Sequence, residues 1–203
     1  MNAHDWRAAL LRELRPLIAV TALLVVVTTV AYPLAVTGVA QALFHRQANG
    51  SIVSAGGRAV GSSLIGQAFT SDAYFHGRPS EAGAGYDAAN SGASNLGPTS
   101  KVLIDRVAAD AQAFRVANGL VANAPLPADA VTASASGLDP HVSPATALLQ
   151  VARVARARGV SAADVRALVD AHTGQPTLGI VGEPRVNVLE LNLALDARFP
   201  AKP

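Results

Sequence analysis

Residues 17–43 read LIAVTALLVVVTTVAYPLAVTGVAQAL and contain no charged side chain. A helix rises about 1.5 Å per residue, so roughly 20 apolar residues cross the roughly 30 Å hydrocarbon core of a bilayer. Backbone polar groups in lipid have no water to bind, so such a segment is expected to be helical. The stretch therefore predicts a transmembrane anchor helix over residues 17–43, preceded by a short N-terminus of residues 1–16.

Two alternatives compete with a retained anchor. Arg7, Arg12 and Arg15 could form the basic region of a signal peptide, and the run AQA at residues 40–42 fits a small-residue cleavage site. However, the apolar core of a signal peptide is usually about 7–15 residues long, so the length of this run favours the anchor. A buried helix of a soluble protein is disfavoured because nothing else in the chain is apolar enough to enclose it.

The basic residues that flank the span indicate its orientation. Three arginines precede it, whereas Arg46 follows it and the next basic residue is Arg58. An excess of Lys and Arg marks the cytoplasmic side of a span. We therefore expect a single-pass protein with a cytoplasmic N-terminus and one extracytoplasmic domain over residues 44–203.

Composition narrows the classes of function. The chain has 203 residues, a net charge of +2 and no cysteine, which excludes disulfides and thiol chemistry. About 160 residues follow the anchor, enough for one domain with its own core. The sequence has no cluster of Lys and Arg interleaved with aromatic residues, so nucleic acid is not an expected partner.

Local signals beyond the anchor predict an α+β fold with a small sheet and several helices. A hairpin is expected around Gly56-Gly57, and strands are expected within residues 131–139 and 178–181. Helices are expected over residues 101–115, between Ser143 and Gly159, after Ser161 and after Asn187, because Ser and Asn favour helix starts and Gly favours helix ends. Residues 70–100 are rich in small residues and predict a long loop.

The catalytic and ligand-binding motifs in this sequence are incomplete. Ser136, Asp139 and His141 lie close in sequence, but no G-x-S-x-G or S-x-x-K motif occurs, and turn chemistry is the favoured interpretation. The five histidines supply no H-x-x-x-H or H-E-x-x-H spacing, so a metal site is not expected. The run GASNLG at residues 92–97 precedes a helix but lacks the Lys-Ser/Thr of a P-loop. These motifs indicate no stably bound cofactor.

Five motifs taken together resemble the C subunit of the Kdp potassium-transporting ATPase. They are YFHGRPS at residues 74–80, SGASNLGP at 91–98, SGLDPHVS at 136–143, HT at 172–173, and LG at 178–179 with GEPRVNVL at 182–189. The single N-terminal span is similar as well. Asp87 and Ala93 depart from the usual pattern of the family, which has Asn and Gly there.

The resemblance implies a place in a high-affinity, ATP-driven potassium uptake complex of the bacterial plasma membrane. Its partners would be a channel-like subunit that binds potassium, a P-type ATPase subunit and a small single-span subunit. The C subunit would be a non-catalytic accessory needed for assembly, described for the family as a catalytic chaperone that raises the ATP affinity of the ATPase subunit. Gln150 matches the position implicated in that nucleotide effect. The resemblance also implies that ATP is bound by the complex as a whole and not stably by this chain.

The predicted topology conflicts with direct ATP contact, because an extracytoplasmic domain does not meet ATP. We therefore favour allosteric coupling through the complex, and interpret Gln150 as a polar position on an amphipathic helix. A cap beside the outer potassium entrance is the favoured role of the domain. The candidates for structural or subunit-contact roles are Phe75, His76, Gly77, Arg78, Pro79, Ser91, Gly92, Ser94, Asn95, Gly97, Asp139, Pro140, His141, Glu183, Arg185 and Asn187.

Two other classes of function stay open on sequence grounds. One is a membrane-anchored periplasmic hydrolase. The other is a secreted binding module released by cleavage after Ala42.

Overall fold

The computed structural model describes residues 5–200 and separates the chain into two units, Met1–Ser51 and Ile52–Pro203. The first unit contains helix α1 (Asp5–Val25), a π-helical turn (Val26–Ala31), helix α2 (Tyr32–Leu43) and the short helix α3 (His45–Ala48). The second unit contains all of the described strands and the remaining helices.

The first unit carries the predicted apolar helix. Residues Leu10–Leu43 form 34 continuous helical residues with a mean hydropathy of 2.3 over their most apolar window, and no residue of that window is buried. This helix is long and apolar enough to cross a membrane. The expected N-terminal apolar helix is therefore confirmed, and its helical residues begin before residue 17.

The π-helical turn lies directly before Pro33. Proline has no N–H, and its ring collides with the carbonyl four residues earlier, so a regular helix cannot pass through it unchanged. Here Tyr32 N–H bonds the carbonyl of Val27, five residues back, which widens the turn. The Thr28 hydroxyl donates to Leu24 O at 2.7 Å, and the Thr29 hydroxyl donates to Val25 O.

The second unit is an α+β domain, as the sequence predicts. Two antiparallel sheets are present in the described residues, the hairpin β1-β2 and a three-stranded sheet in the order β3-β5-β4. The elements are β1 (Ile52–Ala55), β2 (Arg58–Ser62), α4 (Lys101–Asn118), a 3₁₀ turn (Ala128–Ala130), β3 (His141–Val142), α5 (Pro144–Arg158), α6 (Ala162–Ala171), β4 (Thr173–Gly174), β5 (Arg185–Asn187) and α7 (Val188–Arg198).

One hydrophobic core joins α5, α6 and α7 to one face of the three-stranded sheet. Val142 and Val186 are paired in register and supply the contribution of the sheet. The other fully enclosed side chains of the core include Phe75, Val154, Val165, Val169, Leu191 and Leu195. Phe75 is the only one of these that comes from the long loop, so the loop is attached to the core at this residue.

Three helices of this core begin at the predicted caps. Ser143 Oγ accepts the Thr146 N–H at 3.1 Å, and Ser161 Oγ accepts the Asp164 N–H at 3.1 Å. Asn187 Oδ1 accepts the N–H of Glu190 at 3.1 Å. Each cap satisfies an amide that the helix itself leaves unpaired, which fixes where the helix begins.

Two strand predictions are wrong. Residues 131–139 contain no strand. Val131 and Thr132 continue the preceding 3₁₀ turn, since the Val131 N–H and the Thr132 hydroxyl both donate to Ala128 O, at 3.1 and 2.7 Å. Residues 178–181 form a tight turn, closed by the hydrogen bonds Thr177 N–H to Val181 O (2.9 Å) and Val181 N–H to Thr177 O (3.0 Å). Left-handed backbone at Leu178 and Gly179 turns the chain back on itself.

Replacement of Leu191 by alanine tests the core. Leu191 is fully buried, so we expect the free energy of unfolding to fall by about 2–5 kcal/mol. Urea denaturation of the full chain in mild detergent measures this change. Val116→Ala is the matched control, because Val116 is 74% exposed, and its effect should stay within about 0.5 kcal/mol. Equal losses in the two variants would contradict this position of the core.

Candidate functional site

Residues 71–78 have no regular secondary structure, and we call them the clamped segment because helix side chains hold their backbone. Gln150 Oε1 accepts the His76 N–H at 2.8 Å, and Gln150 Nε2 donates to His76 O at 3.0 Å. Asn192 repeats this pattern on Phe75, with bonds of 2.8 and 2.9 Å. Two side-chain amides, from α5 and α7, thus take the place that a neighbouring β-strand would occupy.

Two buried arginines of α5 bind the carbonyls just before these amides. Arg153 Nη1 donates to Asp72 O at 2.7 Å and to Tyr74 O at 2.9 Å. Arg158 Nε donates to Ala73 O at 2.8 Å. Three successive carbonyls are therefore paired with guanidinium groups whose side chains are 3% and 0% exposed.

The two guanidinium groups differ in the groups that compensate their positive charge. Arg158 pairs with Asp196 at 2.8 Å and lies over the Tyr74 ring at 4.7 Å. Arg153 has only the exposed Asp72 carboxylate at 3.9 Å, and its other bonds go to neutral groups, including Gln150 Oε1 at 2.7 Å. Burial lowers the pKa of Arg153, but an arginine keeps its charge in proteins. The carbonyl dipoles of the clamped segment are therefore what stabilise this buried charge.

This arrangement corrects a sequence interpretation. Gln150 was expected at a polar position of an amphipathic helix, but it is fully buried. Arg153 and Arg158 also turn inward, whereas Arg156 between them is exposed. Helical spacing explains the difference, since Gln150 and Arg158 lie four residues on either side of the buried Val154.

His76 lies at the end of the clamp. Its Nε2 is 3.0 Å from Ser71 O and 3.4 Å from Arg153 Nη1. Burial lowers the pKa of His76 and outweighs the bond to the Ser71 carbonyl, which raises it. The neutral ring is therefore the stable form within the folded domain.

A second group of predicted residues meets at the outer face of the three-stranded sheet. His141 and Asn187 are paired in register across β3 and β5, on the face opposite to Val142 and Val186. Two adjoining depressions of about 480 and 300 Å³ share His141 and Arg185 in their walls. We call them together the sheet-face cleft. Its charged and histidine side chains are Arg78, Asp129, Asp139, His141, His172, Glu183, Arg185 and Glu190.

A salt bridge between Arg78, the last residue of the clamped segment, and Asp139 fixes the floor of this cleft. Arg78 Nη1 lies 2.9 Å from Asp139 Oδ2, and Arg78 Nε donates to Thr132 O at 3.3 Å. Burial raises the pKa of Asp139, but bonds from His141 and Arg78 outweigh it and hold the pKa below its usual value. Asp139 Oδ1 also accepts the His141 N–H at 2.9 Å, which confirms the predicted turn at Asp139-Pro140-His141.

Two glycines allow the loop to pack this closely. A Cβ on Gly77 would overlap the Tyr86 hydroxyl, which donates to Arg78 O at 2.7 Å. A Cβ on Gly137 would overlap the backbone of Ala82. Burial raises the pKa of Tyr86 to about 12, so its hydroxyl remains a donor at neutral pH.

The glycine-rich run at 91–97 divides between two places. The Ser91 hydroxyl and the Gly92 N–H both donate to Ser136 O at 3.0 Å. Gly97 O accepts the N–H of Ser100 at 3.0 Å at the start of α4. Ser94, Asn95 and Gly97 are thus not among the residues that line the sheet-face cleft, whereas Pro79 and Pro140 lie in the segments that lead to it.

The positions of Ser136, Asp139 and His141 do not match those of a hydrolase active site. Ser136 Oγ accepts the Leu138 N–H at 3.1 Å and lies 3.4 Å from Ser134 Oγ, whereas His141 Nδ1 faces Asp139 Oδ1 at 3.4 Å. Ser136 and His141 therefore form no nucleophile–base pair. Among residues 5–200, no three His, Asp or Glu side chains converge to hold a metal ion.

Sequence reasoning missed several residues that organise this site. Asn192 pairs with Phe75, Asn118 Oδ1 accepts from Arg153 Nε at 3.0 Å, and Asp129 accepts from both Ser143 N–H (2.6 Å) and Ser143 Oγ (2.9 Å). A signal exists for Asn192, since it lies at helical spacing among apolar residues of α7. Nothing local in the sequence marks the other two.

Comparison with known proteins gives a consistent result. The family described as "K+-transporting ATPase, c chain" (KdpC) matches residues 14–197. Proteins named "Potassium-transporting ATPase KdpC subunit" from Rhodospirillum rubrum and Caulobacter vibrioides are 59% and 58% identical over 192 residues, covering 94% of this chain and 98% and 96% of theirs. The protein of the same name from Koribacter versatilis is 58% identical over 183 residues, or 88% of this chain and 93% of its own.

Replacement of Gln150 by alanine tests the clamp. The variant leaves the N–H and C=O of His76 without partners inside the domain, and we expect a loss of about 2–4 kcal/mol in the free energy of unfolding. Gln112→Ala, at an exposed site on α4, should change it by about 0.5 kcal/mol or less. Denaturation of both full chains in mild detergent compares them, and a loss at Gln150 no larger than at Gln112 would contradict the clamp.

The lowered pKa of His76 predicts a pH dependence. In the unfolded chain the pKa of this histidine is about 6.5, so below that pH the unfolded state binds more protons than the folded state. The contribution of His76 to the free energy of unfolding is therefore fully present above pH 6.5 and falls as the pH drops below it. The free energy of unfolding, measured from pH 7.5 to 5.5, should decline less steeply in His76→Gln, which does not titrate. Parallel pH profiles for the two proteins would refute the assignment.

Proposed function

The chain belongs to the KdpC family, the c chain of the K+-transporting ATPase, and from this membership we propose that it is a non-catalytic accessory subunit of an ATP-driven potassium uptake complex. The observation that carries the proposal is the match over residues 14–197, which includes both the apolar helix and the folded domain. A single helix cannot enclose an ion pathway, so the chain acts with other subunits. Its partners in this proposal are a channel-like potassium-binding subunit, a P-type ATPase subunit and a small single-span subunit.

The proposed location is the bacterial plasma membrane, with the N-terminus in the cytoplasm and the folded domain outside it. The arginine bias before the uncharged run at residues 17–43 supports this orientation. The domain then acts as a cap near the outer potassium entrance of the complex.

An effect on ATP affinity is proposed to pass through the complex. Gln150 is fully buried and both ends of its amide bond the backbone of His76, which supports a structural role rather than contact with nucleotide. A change in docking of the domain would alter nucleotide affinity by coupling between subunits, and coupling of this kind is reciprocal.

The sheet-face cleft is the proposed contact surface for other subunits. Glu183 and Arg185 are exposed at its edge, while Arg78 and Asp139 hold its floor in place. Charged groups at the rim of an interface mainly steer and orient a partner, whereas the rigid floor keeps the surface in one shape.

Purification of a tagged chain tests the proposed function. The chain carries a C-terminal tag and is extracted in mild detergent from potassium-starved cells. We expect it to bring down a P-type ATPase and a multi-span channel-like protein with potassium-stimulated ATPase activity. A chain that arrives alone overturns the proposal, and loss of its first 42 residues would in addition show that the apolar helix is a cleaved signal.

Charge reversal at the cleft tests the contact surface. Arg185→Glu should lower the recovered complex roughly tenfold, because a like-charge contact at an interface costs more than the original pair gives. Arg166→Glu, at an exposed site on α6, is the matched control and should leave recovery unchanged. Equal recovery of all three proteins would argue that the cleft is not a subunit contact.

A further inference from the structure

The turn formed by residues 177–182 exposes three large aliphatic side chains together. Leu178 is 87% exposed, Ile180 83% and Val181 60%. The first two values exceed that of every large apolar side chain described in the membrane-span candidate, where the maximum is 69% at Leu43. We call residues 177–182 the apolar turn.

The apolar turn is closed by backbone hydrogen bonds. Paired hydrogen bonds of 2.9 and 3.0 Å join Thr177 and Val181, and Gly179 N–H donates to Pro176 O at 2.9 Å. Leu178 sits at φ +56°, which an L-residue with a bulky side chain rarely adopts. The chain therefore keeps leucine at an unfavourable backbone position while presenting it to solvent, and neither feature stabilises the isolated domain.

The apolar turn continues directly into the sheet-face cleft. Glu183 and Pro184 follow it in the chain and line one depression, and Arg185 lines both. An apolar centre beside a polar, charged surround is the usual anatomy of a protein interface, in which a few central side chains carry most of the affinity.

The chemistry of the turn favours a protein pocket over the other two possible occupants. Segments that bind anionic lipid surfaces carry several Lys, Arg, Trp or Tyr residues, whereas residues 177–182 have none of these, and the nearby Arg185 is balanced by Glu183. A stable dimer needs about 800 Å² from each partner, far more than three aliphatic side chains offer a second copy. A pocket on a larger partner supplies the rest of the surface around the cleft.

We propose that Leu178, Ile180 and Val181 form the anchor that inserts into an apolar pocket on another protein subunit of the complex. This inference rests on the proposed function, because it requires that the chain assembles with other subunits. The closed turn is formed before docking, so little conformational entropy is lost when the side chains enter the pocket.

The test uses a double variant within the whole complex. Leu178→Asn with Ile180→Ser removes the apolar surface, and asparagine tolerates the left-handed backbone at position 178. We expect the recovered complex to fall by about tenfold or more, as for truncation of interface anchors. The matched control is Val116→Ser with Val121→Ser, since these residues are 74% and 71% exposed elsewhere on the domain. The control should assemble like the unaltered chain.

A crosslinking arm identifies the occupant and works even if the double variant folds poorly. The photo-reactive residue p-benzoylphenylalanine replaces Ile180, and the complex is irradiated after purification. An adduct with another protein subunit supports the proposal. An adduct with lipid alone, an adduct with a second copy of this chain, or no adduct overturns it.

The recovery data separate this inference from the proposed function. If the unaltered chain assembles and the double variant equals its control, the anchor is refuted while the accessory-subunit role stands. If the unaltered chain does not assemble with a P-type ATPase, both are refuted.

Discussion

The domain depends on one requirement, that the backbone of residues 72–76 be hydrogen-bonded although it lies in no strand or helix. A buried peptide group without a partner costs free energy comparable to a lost hydrogen bond. Gln150, Arg153, Arg158 and Asn192 meet this requirement from α5 and α7. The same bonds stabilise the buried arginine charges, so the loop and the helices stabilise one another.

This mutual support extends from the core to the surface. Phe75 fills the core while its backbone is held by Asn192, which fixes where the chain leaves the interior. Three residues later, Arg78 reaches Asp139 and thereby sets the turn into β3. The shape of the sheet-face cleft thus depends on hydrogen bonds in the interior of the domain. A substitution that removes the bonds to the clamped segment is therefore expected to alter the cleft as well.

The domain combines this internal network of polar contacts with exposed features nearby, the sheet-face cleft and the apolar turn. Gln150, Arg153 and Asn192 are used inside the domain, whereas exposed charges line the sheet-face cleft and the apolar turn presents Leu178 and Ile180 to solvent. In the proposed role as an accessory subunit, this exposed surface would serve for docking. Leu178 adopts a left-handed backbone at φ +56°, which is unfavourable for a residue with a bulky side chain.

The sequence by itself determined the features that arise from neighbours along the chain. The uncharged run at 17–43 predicts the apolar helix, and the caps Ser143, Ser161 and Asn187 predict three helix starts, because length, hydropathy and local hydrogen bonding decide these. The motifs around Phe75, Asp139 and Arg185 pointed to the family.

Tertiary structure decided the rest. Gln150 looks like an ordinary polar helix position until His76, 74 residues away, is placed against it. The turn at Leu178 reads as a strand until its backbone reverses at Gly179. Partners distant in sequence and backbone conformations rare for the residue type leave no local pattern, so only the folded chain shows them.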